Sequence, residues 1–324
     1  MATKKTTTKA ASAKSSAKKP KTTKSSTTTV TRVTATETTK QVTPTKAVVK
    51  LPRTAKLDAK MPENLVNILI AELIGTFVLT IVALFAASIL APLYVGLALA
   101  AIVFMIGAVS GAHVNPAITF GLWSMRKLQT VLVPFYWAAQ FLGAMAAVVL
   151  IGALANSPMA LDFSHFTTFS WSIFALELVG SAVFMFGVAA VAGRSKLSSG
   201  GKAFGVGMAL MAGLLVSGAL LPHVQNAAIV KQTEATETQA TEPSKDTPRY
   251  PHEVYAGGAT LNPAVALVVT EKTDSQIGSG APVAQKEEKT YTRLSLEVIA
   301  GTLIGAALGG NLFLLVHYRA KLED

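Results

Sequence analysis

The tripeptide Asn-Pro-Ala occurs twice, as Asn115-Pro116-Ala117 and Asn262-Pro263-Ala264. Asn is a favoured helix N-cap, and Pro fits the first helical position because its missing N–H would be unpaired there. Each box therefore predicts a helix start at which Asn caps with its carbonyl oxygen and keeps its NH₂ donors for a lumen. The residues ahead of the boxes also match, Ser110-Gly111-Ala112-His113-Val114 against Gly257-Gly258-Ala259-Thr260-Leu261. This backbone is expected to run extended, so that Gly111, Ala112, His113, Gly258, Thr260 and Leu261 line a path with carbonyl acceptors. A row of acceptors with two amide donors at its centre suits small neutral hydrogen-bonding solutes. Each helix start carries about half a positive charge, and two such ends facing one another repel cations and protons. One box alone is a weak signal, because ordinary capped helices match it by chance. Two in a duplicated context are a strong one.

The apolar runs beginning at the boxes, 115–125 and 262–270, are too short to cross a membrane. Ten residues reach only ~15 Å, half of a ~30 Å hydrocarbon core. Six other segments are long enough: about 65–90, 92–110, 129–154, 171–192, 203–221 and 292–317. The expected fold is an all-α membrane protein with six transmembrane helices and two re-entrant half-helices. The first helix of each half also echoes the other, Ala71-Glu72-Leu73-Ile74-Gly75-Thr76-Phe77 against Leu176-Glu177-Leu178-Val179-Gly180-Ser181-Ala182. Three spans separate corresponding points, so the halves are inverted repeats. Paired short segments in inverted halves point to a transport path. Non-helical backbone at that depth survives only when buried in protein or facing a water-filled cavity.

Composition divides the chain in two. Of its 324 residues 51% are apolar and none is Cys, which excludes disulfide scaffolds and thiol chemistry. Residues 1–60 hold 15 Lys+Arg against Glu37 and Asp58, a net +13. Residues 61–324 hold the remaining 14 basic and 16 acidic residues, a net −2, and form the channel domain. The polar tail of 1–60 reads as disordered and not as a secretory signal, since no apolar stretch follows its charged start. Its charge would draw it to anionic lipid; without stacking aromatics, a specific role toward nucleic acid is not supported. Arg126/Lys127, Arg194/Lys196/Lys202 and Arg319/Lys321 share one side with the tail, which places both termini in the cytoplasm of a cell-membrane protein. No nucleophile–base pair and no phosphate-cradling loop occurs, so an enzyme is not expected, nor a cofactor. His113 has no ligand partner nearby in sequence, so no metal is expected and the residue reads as a brace for the first loop. His165, His223 and His252 are expected in the outer loops, with no partner identified.

These residues together resemble the aquaporin/glycerol-facilitator (major intrinsic protein) family over roughly residues 64–317. The likeness rests on Ala71 to Phe77, Ser110 to Ala117, Ala139-Gln140-Phe141-Leu142-Gly143-Ala144 and Asn262-Pro263-Ala264. It implies a single-file passive pore in each subunit and a homotetramer in the lipid bilayer. It further implies that Glu72 and Glu177 brace the pore-lining loops by accepting backbone N–H bonds. A carboxylate facing lipid would be costly, which supports the same reading.

The chain also departs from that family. Where the family carries Arg after the second box, this chain has Val265, followed by Ala266. Counting from the boxes puts Val95 and Ala259 at the filter, with either Leu214 or Gly213 from the fifth span. Such a filter is apolar and has no fixed charge. Smaller side chains would widen it, whereas loss of the donor raises the desolvation cost for polar solutes. Width wins if Gly213 faces the path, the barrier if Leu214 does. Only Ala91-Pro92 is expected between the first two spans, while long polar inserts follow Leu221 and Glu271 on the outer side. The expected function is a channel for water or small uncharged solutes such as polyols, urea or ammonia. The alternative is a non-conducting structural or adhesion protein, favoured by the lost Arg and the long inserts. Gly301, Gly305 and Gly309 mark a face of the last helix for close packing.

Overall fold

The computed structural model describes residues 61–86, 90–156, 161–238, 249–278 and 290–323. The tail reading for 1–60, and the middles of the two inserts, lie outside these residues. Among the described residues there are ten α-helices: α1 Leu65–Phe85, α2 Ala91–Ser110, α3 Pro116–Ser124, α4 Val133–Leu154, α5 Trp171–Ala192, α6 Ser199–Thr238, α7 His252–Tyr255, α8 Pro263–Ala266, α9 Asp274–Ile277 and α10 Leu296–Glu323. Helices α1, α2, α4, α5, α6 and α10 are each long and apolar enough to cross a membrane. Their outer faces expose Val66, Ile70, Phe104, Leu142, Val149 and Leu312. In water such a surface would aggregate; against lipid tails it needs no protein partner.

Glycine sets how closely the helices approach. In the first half α4 lies on α1, where a Cβ at Gly143 would collide with the Leu73 carbonyl. In the second half α10 lies on α5 in the same manner. Side chains at Gly301, Gly305 and Gly309 would strike the carbonyls of Phe174, Leu178 and Ala182. Between the halves, α2 meets α6 with Gly96 against Gly207. The glycine face read from the last helix is therefore a helix–helix contact.

Four details differ from the sequence expectation. Ala91 and Pro92 are not a connection but the first turn of α2, which suits Pro because no ladder donor is needed there. Helix α6 does not stop near Leu221; it runs through Pro222 to Thr238 and carries His223 within it. Ala227, Ala228, Lys231, Gln232, Glu234 and Ala235 are strong helix formers and sustain it past the Pro. The second half-helix, expected over 262–270, is only the single turn α8, against nine residues in α3. Beyond α8 the chain turns extended, because Thr270 pairs with Thr292 in an antiparallel bridge and Tyr291 pairs with Asp162 in a parallel one. The same pairing delays α10 to Leu296.

Candidate functional site

Both Asn side chains cap as the boxes predict. Asn115 Oδ1 accepts from the Ala117 N–H at 2.8 Å, and Asn262 Oδ1 accepts from the Ala264 N–H at 3.0 Å. Their amide groups, expected to be free, are partly engaged. Asn115 Nδ2 donates to the Leu261 carbonyl at 2.7 Å, and Asn262 Nδ2 donates to the Val114 carbonyl at 3.0 Å. Each NH₂ has two hydrogens, so each keeps one beyond this reciprocal cross-brace. The carbonyls are aimed by strain: Val114 and Leu261, immediately before the two Asn, have φ of 41° and 53°. Such φ values in bulky non-glycine residues cost of order 1–3 kcal/mol and persist only where the surroundings over-determine them. The two loops thus meet at their Asn residues, one box from each half.

Two buried carboxylates hold the loops in place. Glu72 on α1 accepts from the N–H groups of His113 and Val114, at 2.9 and 2.7 Å. Ser110 Oγ and Gln140 Nε2 donate to the same carboxylate, at 2.7 and 2.9 Å. Glu177 on α5 accepts from the Thr260 and Leu261 N–H groups at 2.8 Å each, and from Thr260 Oγ1 at 3.2 Å. Both are fully buried. An unmade bond at such a donor would cost about 1–3 kcal/mol, which explains why an extended loop survives in the core. His113 is buried, stacks on Tyr136 with ring centroids 4.4 Å apart, and has Nδ1 3.2 Å from Thr119 Oγ1. It belongs to the bracing network of the first loop.

A cavity of about 800 Å³ opens from the two Asn side chains toward Lys272 and Gln276. Val95, Leu214, Ala259 and Val265 all line it, together with His113, Gly258 and Thr260. Gly213 does not: a Cβ there would lie 2.6 Å from the Gly180 carbonyl oxygen, so this residue packs α6 onto α5. Of the two residues left open on the fifth span, Leu214 is the one on the cavity wall. Gly111, Ala112 and Leu261 are likewise not on this wall; Gly111 closes α2 with φ 85°, and the Leu261 carbonyl is taken by Asn115.

The family model described as major intrinsic protein matches residues 62–228. This chain belongs to that family. Aquaporin NIP2-3 of Zea mays is 33% identical over 146 residues, covering 42% of this chain and 48% of that protein. Aquaporin Z of Rhodopseudomonas palustris is 30% identical over 175 residues, covering 47% of this chain and 72% of its own length. The chain spans about half the length of the maize relatives it matches. Among solved structures, the aquaglyceroporin from Plasmodium falciparum aligns at 18% identity and a TM-score of 0.49, covering 80% of this chain and 99% of that one. With six apolar helices, this major intrinsic protein is an integral membrane protein, and its family is not one of enzymes.

The cavity wall of this major intrinsic protein also carries charged residues that counting from the boxes misses. Glu271, Lys272 and Arg293 line the wall there. Arg293 is 2% exposed, and its backbone N–H donates to the Val269 carbonyl at 2.8 Å, just beyond α8. Glu271 lies 2.9 Å from His165 Nδ1 and 3.8 Å from His252 Nδ1, while His252 Nε2 lies 3.0 Å from Glu297. His165 stacks on Tyr291 at 3.6 Å. Burial disfavours the charged form of His252, but its bond to Glu297 and the charges of Glu297 and Glu271 outweigh burial and nearby Arg293, so its pKa is raised. One ligand atom each from His165, His252 and Glu271 come within 4.8 Å of one another, a set able to take a metal ion. These residues stand on separate connections, so their spacing in the sequence carries no signal.

Proposed function

We propose that the chain forms a passive membrane channel for water and small uncharged solutes, such as polyols, urea or ammonia. The observation that carries this reading is the reciprocal bond between the two boxes at the floor of an open cavity. There each Asn keeps a spare donor while the half-helix starts supply positive potential, which favours neutral oxygens over cations. Val95, Leu214, Ala259 and Val265 would form the constriction. Leu214 on the wall favours an apolar barrier over a wide opening, so water should pass more readily than polyols. The subunit would assemble as a homotetramer in the cell membrane with both termini cytoplasmic, as the basic loops suggest.

The test is stopped-flow light scattering on proteoliposomes, with water and a series of osmolytes. Water flux well above that of empty vesicles is expected, with slower flux of polyols. Rates equal to empty vesicles for every solute would defeat the reading and favour the non-conducting structural alternative.

A further inference from the structure

We propose that Arg293 is the hydrogen-bond donor of the constriction, offering guanidinium N–H groups to the oxygens of permeating solutes while its charge turns cations away. This rests on the channel reading above and adds a selectivity residue to the same site. A guanidinium has five N–H donors and no acceptor, and it stays charged at any working pH. Arg293 is almost wholly buried, yet Nε and Nη1 have no hydrogen-bond partner among the described residues. Among the described residues the nearest carboxylate is Glu177, whose Oε1 lies 3.8 Å from Nη2, beyond hydrogen-bonding range. Its oxygens are already occupied by the Thr260 and Leu261 donors.

A pair built only for structure would bring the fork onto the carboxylate at about 2.7–2.9 Å. Here Glu177 offsets the charge and leaves the donors unmet. A buried cation with unmet donors is costly. Nε and Nη1 are sealed from solvent, so Nη2, facing Glu177 without bonding it, is the donor that a solute in the cavity would meet. Arg293 lines the same cavity as Ala259 and Val265. It is fixed in place, since its N–H is bonded to Val269 and the preceding Thr292 pairs with Thr270. The compensating carboxylate keeps anions from collecting, so neutral oxygen-bearing solutes gain most. The donor missing beside the second box is thereby supplied from the segment ahead of α10.

Proteoliposomes carrying wild type, Arg293→Lys and Arg293→Met test this. The readouts are water, urea and glycerol flux, together with proton leak followed by an entrapped pH dye. In Arg293→Met, urea and glycerol flux relative to water should fall about tenfold, roughly one lost charge-assisted hydrogen bond, and proton leak should rise because Glu177 is left uncompensated. Arg293→Lys keeps the charge but loses the planar fork, so solute flux should drop several-fold with proton exclusion retained. A folded Arg293→Met with wild-type flux ratios and no leak would overturn the proposal. If that variant does not fold, Arg293→Lys decides: unchanged flux ratios overturn the proposal, and a selective fall supports it. Wild-type vesicles that conduct nothing would instead overturn the channel reading itself, and this inference with it.

Discussion

The two halves repeat one plan, but their bracing carboxylates are completed differently. Glu72 is surrounded by neutral donors, from the Ser110 hydroxyl, the Gln140 amide and two backbone N–H groups. Glu177 holds its own two N–H groups but also faces a buried cation, Arg293, without bonding it. The first loop feeds a nine-residue half-helix; the second feeds a single turn and then an extended bridge that delivers Arg293. The first half is thus a closed network of neutral partners, and the second is open toward the cavity. A shared frame allows one copy to be specialised while the other keeps the geometry.

Substituting each carboxylate by its amide sharpens that contrast. Glu177→Gln strands the Arg293 charge in the interior and should cost about 3–5 kcal/mol of stability. Glu72→Gln keeps one acceptor and sets an amide donor against neutral donors, so about 1–3 kcal/mol is expected. Denaturation of the detergent-solubilised protein measures both. Equal losses would mean that Arg293 does not depend on Glu177 for its charge balance.

The Asn pair should behave in the opposite way, because its cross-brace is reciprocal. Asn115→Asp and Asn262→Asp each remove the donor to the opposite carbonyl and set a carboxylate where the half-helices meet. Losses of about 1–3 kcal/mol and a new cation leak are expected in both. A leak in one variant alone would break the equivalence of the two boxes.

The smallest effect belongs to the mouth. His252 has a raised pKa, so its bond to Glu297 and its attraction to Glu271 contribute stability that is fully present below its unfolded value. That contribution is lost as pH rises through the raised folded value. His252→Gln should flatten the fall in stability that wild type shows as pH rises from about 6.5 through neutral. An unchanged profile would show that the His252 contacts contribute nothing to docking of this segment.

Most of this frame was legible before any coordinates. The six spans, the glycine face of α10 and the capping Asn residues rest on local patterns that a linear chain displays, while the bracing by Glu72 and Glu177 follows from the likeness to the family. What escaped was non-local. Arg293 reaches the cavity through backbone pairing with Val269 and Asp162-side contacts, and no motif marks that pairing. The choice of Leu214 over Gly213 depends on which face of α6 meets Gly180. Helix α6 outran its apolar stretch because hydropathy sees only the span, whereas the following residues continue the helix by propensity. His165, His252, Glu271 and Glu297 converge only in three dimensions.

The central claim is that the cavity between the Asn pair and the mouth is the path of transport. Gly218 lies on its wall in α6, and a Cβ there would meet nothing within 4 Å. Gly218→Trp therefore adds a bulky ring at a wall position whose Cβ starts in open space, and replacing a mid-helix Gly favours the helix. Water flux through proteoliposomes of folded Gly218→Trp should fall to that of empty vesicles. Flux equal to wild type in the same folded variant would contradict the claim.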